Sequence, residues 1–203
     1  DLISIWFGAD DYAQISLNGH ALDSYLLDAN KGANRQPILH HLAPTLKLVA
    51  RNERARVWTQ QIQLTIGDMV TEAHDTHHPI DSGLFYEDQQ PEALRRAQAF
   101  CSTRMPKFLA WFESILARNP AGQRHLVDGK LSYADLSLFQ LVEGLKYAFP
   151  KAADRVLAKT PLVMQLHHRV ATLPKVAAYL RSERHISFNE QGIFRRYPEL
   201  DLP

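Results

Sequence analysis

Four residues at the end of a long helical stripe carry the side chains best suited to chemistry: His74, Asp75, His77 and His78. Imidazoles and a carboxylate this close in sequence can move protons near neutral pH, or can hold a zinc ion. The spacing matches no standard zinc motif, and His-Glu-x-x-His in particular is missing, so no metal is assigned. Imidazoles in the last turn of a helix also interact favourably with its free carbonyls and dipole. The cluster therefore reads first as a helix end or pocket wall, and second as a contact for a substrate. His40-His41 and His167-His168 are adjacent pairs on helical stretches, so one member of each faces solvent and no role is assigned to them. Cys101 is the only cysteine, which excludes an intrachain disulfide and suits a reducing compartment. It lies on an apolar stripe and reads as packing rather than as a nucleophile.

The elements that position these residues change character near residue 50. Before it, Leu2 to Phe7 is a short β-prone run, and Tyr12 to Leu17 alternates well enough for a second strand. Residues 20–29 read as helical. Tyr12 to Leu22 also reads as a β-hairpin on the Asn18-Gly19 turn, a pattern found in sugar-binding sandwiches. Ile38 to Leu48 predicts a short helix with Pro37 near its first turn.

After residue 50 the apolar residues recur at steps of three and four. Trp58, Ile62, Ile66, Met69 and Ala73 make one face of a helix over 54–74. Leu94, Ala97, Cys101, Met105, Phe108, Phe112 and Ile115 make a second, in which Pro106 should produce a kink. The aromatic residues Phe100, Phe108, Trp111 and Phe112 read as core. Two such stripes in succession predict a helical bundle.

Composition narrows the partners. Hydrophobic residues at 45% and charged ones at 22% are ordinary globular usage, enough for a core without staples. A net charge of +1 with scattered basic residues predicts no attraction to nucleic acid or to an anionic membrane. No apolar run approaches the roughly 18 residues that span a bilayer, and the N-terminus lacks a signal-peptide layout. Together with the cysteine usage this gives a cytoplasmic expectation.

The most specific local signal is Asp128-Gly-Lys-Leu-Ser-Tyr-Ala-Asp-Leu136. Ser132 can cap a helix start, and Asp135, three residues on, can reach back to the Ser132 amide, a carboxylate form of the capping box. The helix that follows is apolar almost all round, which predicts burial at the domain centre. Thr160-Pro161 and Leu173-Pro174 place proline at two later helix starts. Leu126 to Asp135 resembles the cap-box motif of cytosolic glutathione S-transferases. The resemblance continues through Phe149-Pro150, Leu173 to Leu180 and Ser182-Glu183-Arg184. His74 to Ile80, Tyr86 to Gln89 and Arg196 to Asp201 further resemble a microbial subgroup found in bacteria and fungi.

That resemblance implies a mainly α fold. Residues 51–203 would be the all-helical C-terminal domain, and residues 1–50 a reduced or incomplete thioredoxin-like α/β domain. The family's first-helix turn and cis-proline loop have no visible counterpart in those residues, so this chain is expected to bind glutathione weakly or not at all. The implied activity is a glutathione transferase, with glutathione as co-substrate and its thiolate acting on a small hydrophobic electrophile. A protein of the same fold that binds without conjugating is the alternative. By position, Ser4 would donate a hydrogen bond to the thiolate, and Asn34 and Arg35 would contact glutathione at the start of the closing helix. His74, Asp75, His77 and His78 would line the second-substrate pocket. The resemblance also implies a homodimer with the first two long helices at its interface.

Overall fold

The computed structural model of the protein describes residues 3–4, 16–17, 20–21 and 36–201. Three two-residue strands, β1 (Ile3–Ser4), β2 (Ser16–Leu17) and β3 (His20–Ala21), form one sheet in that order. Both pairings are antiparallel, with Ile3 opposite Leu17 and Leu17 opposite His20. Two residues separate β2 from β3, the hairpin spacing expected of the Asn-Gly reading. The helix expected over 20–29 gives way at His20 and Ala21 to cross-strand pairing; its other residues lie outside those described, as do Asn34 and Arg35. The first helix, α1 (Gln36–Leu42), is shorter than the run to Leu48, and the chain leaves it through a turn in which Lys47 takes a φ of 59°.

The helical part is built around α2 (Glu53–His74) and α5 (Tyr133–Ala148). Asn52 caps α2 by accepting the Ala55 amide at 2.8 Å. Ile62, Ile66, Met69 and Ala73 are buried as the stripe predicts, but Trp58 is 40% exposed and meets Trp111 edge-on at 6.2 Å. The second stripe becomes α3 (Gln90–Ala99), a π-helical turn over Phe100–Arg104, and α4 (Met105–Arg118). Pro106 has no amide to give to the preceding turn. The backbone absorbs the loss by widening: the Met105 amide bonds to the Phe100 carbonyl, five residues back. At the position of the expected kink the chain makes a π-bulge within one continuous helical path. Phe100 and Phe112 are core, whereas Phe108 and Trp111 are only partly buried against it.

Helix α5 is the central element and packs against α2, α6 (Pro150–Leu157) and α7 (Pro161–Ala171) within one shared core cluster.

The start of α5 carries the expected capping box. The Asp135 carboxylate, fully buried, accepts the Ser132 amide at 2.7 Å, the Ser132 hydroxyl at 2.6 Å and the Leu126 amide at 2.8 Å. The left-handed turn before it falls on Asp128, with φ 51°, rather than on Gly129.

Two later helices open on proline and import their caps from far away. Asp201 accepts the Lys151 and Ala152 amides at the start of α6, at 2.9 and 3.0 Å. Glu113 on α4 accepts the Leu162 and Val163 amides at the start of α7, at 3.0 and 2.9 Å. A short α8 (Pro174–Leu180) follows. The chain then folds back so that Phe194 lies against α5 at Gly144, where an added Cβ would come within 2.4 Å of the ring.

Candidate functional site

Helix α2 ends in a tight turn that brings three imidazoles together. Asp75 closes the helix with its amide on the Thr71 and Ala73 carbonyls, and the Thr76 hydroxyl donates to the Ala73 carbonyl at 2.7 Å. The turn swings His77 and His78 back beside His74. The ring centres stand 4.9 Å apart for His74 and His77, 5.1 Å for His74 and His78, and 4.8 Å for His77 and His78.

Each ring is held differently. His77 is 1% exposed, and its Nε2–H donates to the Ile193 carbonyl at 3.0 Å, since a carbonyl can only accept. That fixes the tautomer and leaves Nδ1 with a bare lone pair, buried and without a hydrogen-bond partner among the described residues. Burial lowers the His77 pKa to about 3; the Ile193 bond opposes this, and the charges of His74, Arg195 and His78 add to it. The ring is therefore neutral at pH 7. His74 Nδ1 lies 3.4 Å from Asp75 Oδ1, and Arg96 approaches the other oxygen of Asp75 at 3.8 Å. His78 Nδ1 lies 3.3 Å from Gln89 Nε2.

The surrounding loop and tail clamp this turn. Gln89 is fully buried, accepts the Ile80 amide at 3.0 Å and donates to the Asp81 and Leu84 carbonyls at 3.1 and 3.2 Å. Tyr86 stacks on Tyr197 with ring centres 3.8 Å apart, and its hydroxyl donates to Glu199 at 2.9 Å. Burial, then that carboxylate, push the Tyr86 phenol pKa upward, so it stays a donor. On the other side, Arg104 of the π turn grips both carboxylate oxygens of Glu72. The three segments singled out by the microbial resemblance thus meet at one place.

The cluster of His74, Asp75, His77 and His78 is therefore a spatial unit. Ser4 lies in β1, while Asn34 and Arg35 lie outside the described residues. A cavity of about 900 Å³ lies at the other end of α2, between Ala55, Val57, Trp58 and Gln61 on one side and Trp111 and Ile115 on the other. His41 and His168 are exposed, as the pair argument requires. Sequence reasoning missed the partner of His167: it is buried and hydrogen-bonded to Glu143, one helix away. The bond holds the Glu143 carboxyl below its usual pKa against the opposing effect of burial. A spacing of 24 residues gave no local signal for that pair. Cys101 is buried, and burial pushes its thiol pKa up to about 12, so the packing reading holds. No helix among the described residues is long and apolar enough to cross a membrane.

Comparison with known proteins follows the same lines. The family described as "Glutathione S-transferase, C-terminal domain" matches residues 74–183. Glutathione S-transferase P of Capra hircus is 27% identical over 150 residues, covering 74% of this chain and 63% of that protein. Glutathione S-transferase 2 of Onchocerca volvulus is 28% identical over 142 residues, covering 70% of this chain and 61% of that protein. The chain thus spans a little under two thirds of the length of these relatives. A solved Pi-class glutathione S-transferase of Onchocerca volvulus shares the fold at 21% identity and a TM-score of 0.59, covering 83% of this chain and 68% of that one. Prostaglandin synthase D of Nilaparvata lugens does so at 15% identity and a TM-score of 0.63, covering 87% and 75%. These relatives are animal proteins, so the family is shown and the bacterial and fungal subgroup is not. With more than half of its residues matched by one family, the chain belongs to the glutathione S-transferases through their C-terminal helical domain.

Proposed function

We propose that this protein uses glutathione as a co-substrate, conjugating its thiolate to a small hydrophobic electrophile or otherwise using the thiolate on it. The observation that carries the reading is the family match over residues 74–183, which begins at the histidine cluster and includes the Asp135 cap. In the reaction the thiolate attacks an electrophilic carbon; a carbon–sulfur bond forms as a leaving group departs or a π bond opens. The protein's task is to place one hydrogen-bond donor at the sulfur and to surround the electrophile with an apolar wall.

Ser4 is the proposed donor, and Asn34 with Arg35 the proposed contacts to glutathione. His74, Asp75, His77 and His78 form the proposed wall at the second substrate, where a neutral His77 offers a polar contact without a buried charge. Residues 1–50 would form the glutathione-facing unit and residues 51–203 the helical one. The proposed assembly is a homodimer through the first two long helices, α2 and the path from α3 to α4, where Val57 and Leu64 share an exposed apolar face of α2. The proposed setting is cytoplasmic.

The test is retention on immobilised glutathione, combined with thioether formation from a chlorodinitrobenzene probe. Retention with glutathione-dependent product supports the reading. Retention without product narrows it to binding, and loss of both removes it in favour of a non-conjugating protein of the same fold.

A further inference from the structure

We propose that His74, His77 and His78 form a three-imidazole site for a late first-row divalent metal of the zinc, cobalt, nickel and copper group. One ring nitrogen from each residue lies within 4.8 Å of the others. In a tetrahedral site with metal–nitrogen bonds of about 2.0–2.1 Å, neighbouring imidazole centres stand about 5 Å apart. The observed separations of 4.8 to 5.1 Å already match that triangle. The tetrahedral spacing of the nitrogens themselves is about 3.3 Å, so the rings turn toward one another to close the site.

The outer contacts orient the rings as metal ligands need. A ligating histidine ordinarily donates its other N–H to a carbonyl or a carboxylate, which fixes the tautomer and raises the basicity of the ligating nitrogen. His77 donates Nε2–H to the Ile193 carbonyl at 3.0 Å, which leaves its buried Nδ1 without a partner among the described residues. His74 faces Asp75 through Nδ1 at 3.4 Å, the carboxylate–histidine arrangement. Gln89 Nε2 has two protons and three acceptors in reach, and His78 Nδ1 at 3.3 Å is the farthest of them. A metal can therefore claim His78 without leaving the glutamine unsatisfied.

The donor set names the class of metal. Three imidazoles with no thiolate suit borderline divalent ions rather than magnesium or calcium, which take oxygen ligands. Three protein ligands leave a fourth position for water or a substrate atom. Side-chain exposures of 20% for His74 and 38% for Asp75 give the ion a route from solvent. Packing alone would give three rings in contact and no stoichiometric metal.

The experiment uses the full chain without a histidine tag, stripped with a chelator and titrated with cobalt(II). One equivalent should develop the intense visible absorption of tetrahedral cobalt, and zinc should displace it. His77→Gln and the more exposed His74→Gln should each weaken cobalt binding more than tenfold, while His168→Gln should leave it unchanged. Far-UV circular dichroism checks folding, and His74→Gln carries the test if His77→Gln does not fold. Absence of the tetrahedral spectrum overturns the proposal, as does equal binding by wild type and His74→Gln, which would mean adventitious chelation by surface histidines. The result is independent of the transferase reading, since the titration involves neither glutathione nor an electrophile.

Discussion

Replacing Asp135 with alanine removes a carboxylate that holds three donors at the start of the central helix. The Leu126 amide, the Ser132 amide and the Ser132 hydroxyl lose their acceptor together, in a place with no water to replace it. Each buried donor left unpaired costs about 1–3 kcal/mol. The hydroxyl can rotate toward another acceptor, so the two amides dominate, at about 2–6 kcal/mol. Part of this is offset because burial opposes ionisation of Asp135 and raises its pKa, against the pull of its hydrogen bonds. A net loss of about 3 kcal/mol is a large share of the 5–15 kcal/mol typical of a folded domain. For a chain of this size that corresponds to a fall in Tm of roughly 6–12 °C. Asp135→Asn should be almost as damaging, because the amide's NH2 group must face one of the two N–H donors. The assay is urea unfolding followed by circular dichroism, with the slope compared to confirm that the folded state is unchanged in extent. A midpoint equal to wild type in Asp135→Ala would refute the claim that these bonds hold the helix start.

Gly144→Ala should destabilise by about 1–3 kcal/mol in thermal melting, because the new methyl collides with the Phe194 ring; that overpacking outweighs the helix-propensity gain of about 1 kcal/mol. Asp201→Ala should uncap α6, cost about 1–2 kcal/mol and speed proteolysis of the C-terminal segment; an unchanged cleavage rate would remove the anchoring role. Glu143 has a lowered pKa, so its stabilisation is present above the unfolded value of about 4.3 and is lost as pH falls through the folded value. The stability difference between wild type and Glu143→Gln should therefore shrink below about pH 4, and a pH-independent difference would count against the His167 bond as its source. Cys101 should resist a disulfide reagent in the native protein and react on unfolding; fast native reaction would contradict the buried, protonated thiol.

What could be read from the sequence was local. The stripe through Ile62, Ile66 and Met69 and the Ser132–Asp135 pair each lie within a few turns of chain, so periodicity and capping rules reach them. Trp58 fits the same stripe yet faces a cavity, because periodicity gives direction around a helix and not what lies opposite each end. Pro106 announced a disruption, but whether a helix breaks or widens depends on packing either side of it. Ser4, Asn34 and Arg35 came from positional resemblance alone.

The contacts that sequence reasoning could not reach are those that close the molecule on itself. Asp201 caps α6 from 49 and 50 residues away, and His77 meets Ile193 across 116. Tyr86 stacks on Tyr197, and the Cys101 thiol points at the Leu200 carbonyl. Each of these joins the C-terminal segment to the region between α2 and α6. The tail therefore does two things at once: its carboxylate satisfies amides that Pro150 leaves at a helix start, and its backbone sets the tautomer of His77. A change that frees the tail should loosen the histidine cluster even though no histidine is altered. That coupling is why the cluster is visible in the sequence as a composition, whereas the tautomer of His77 is set by its contact with Ile193.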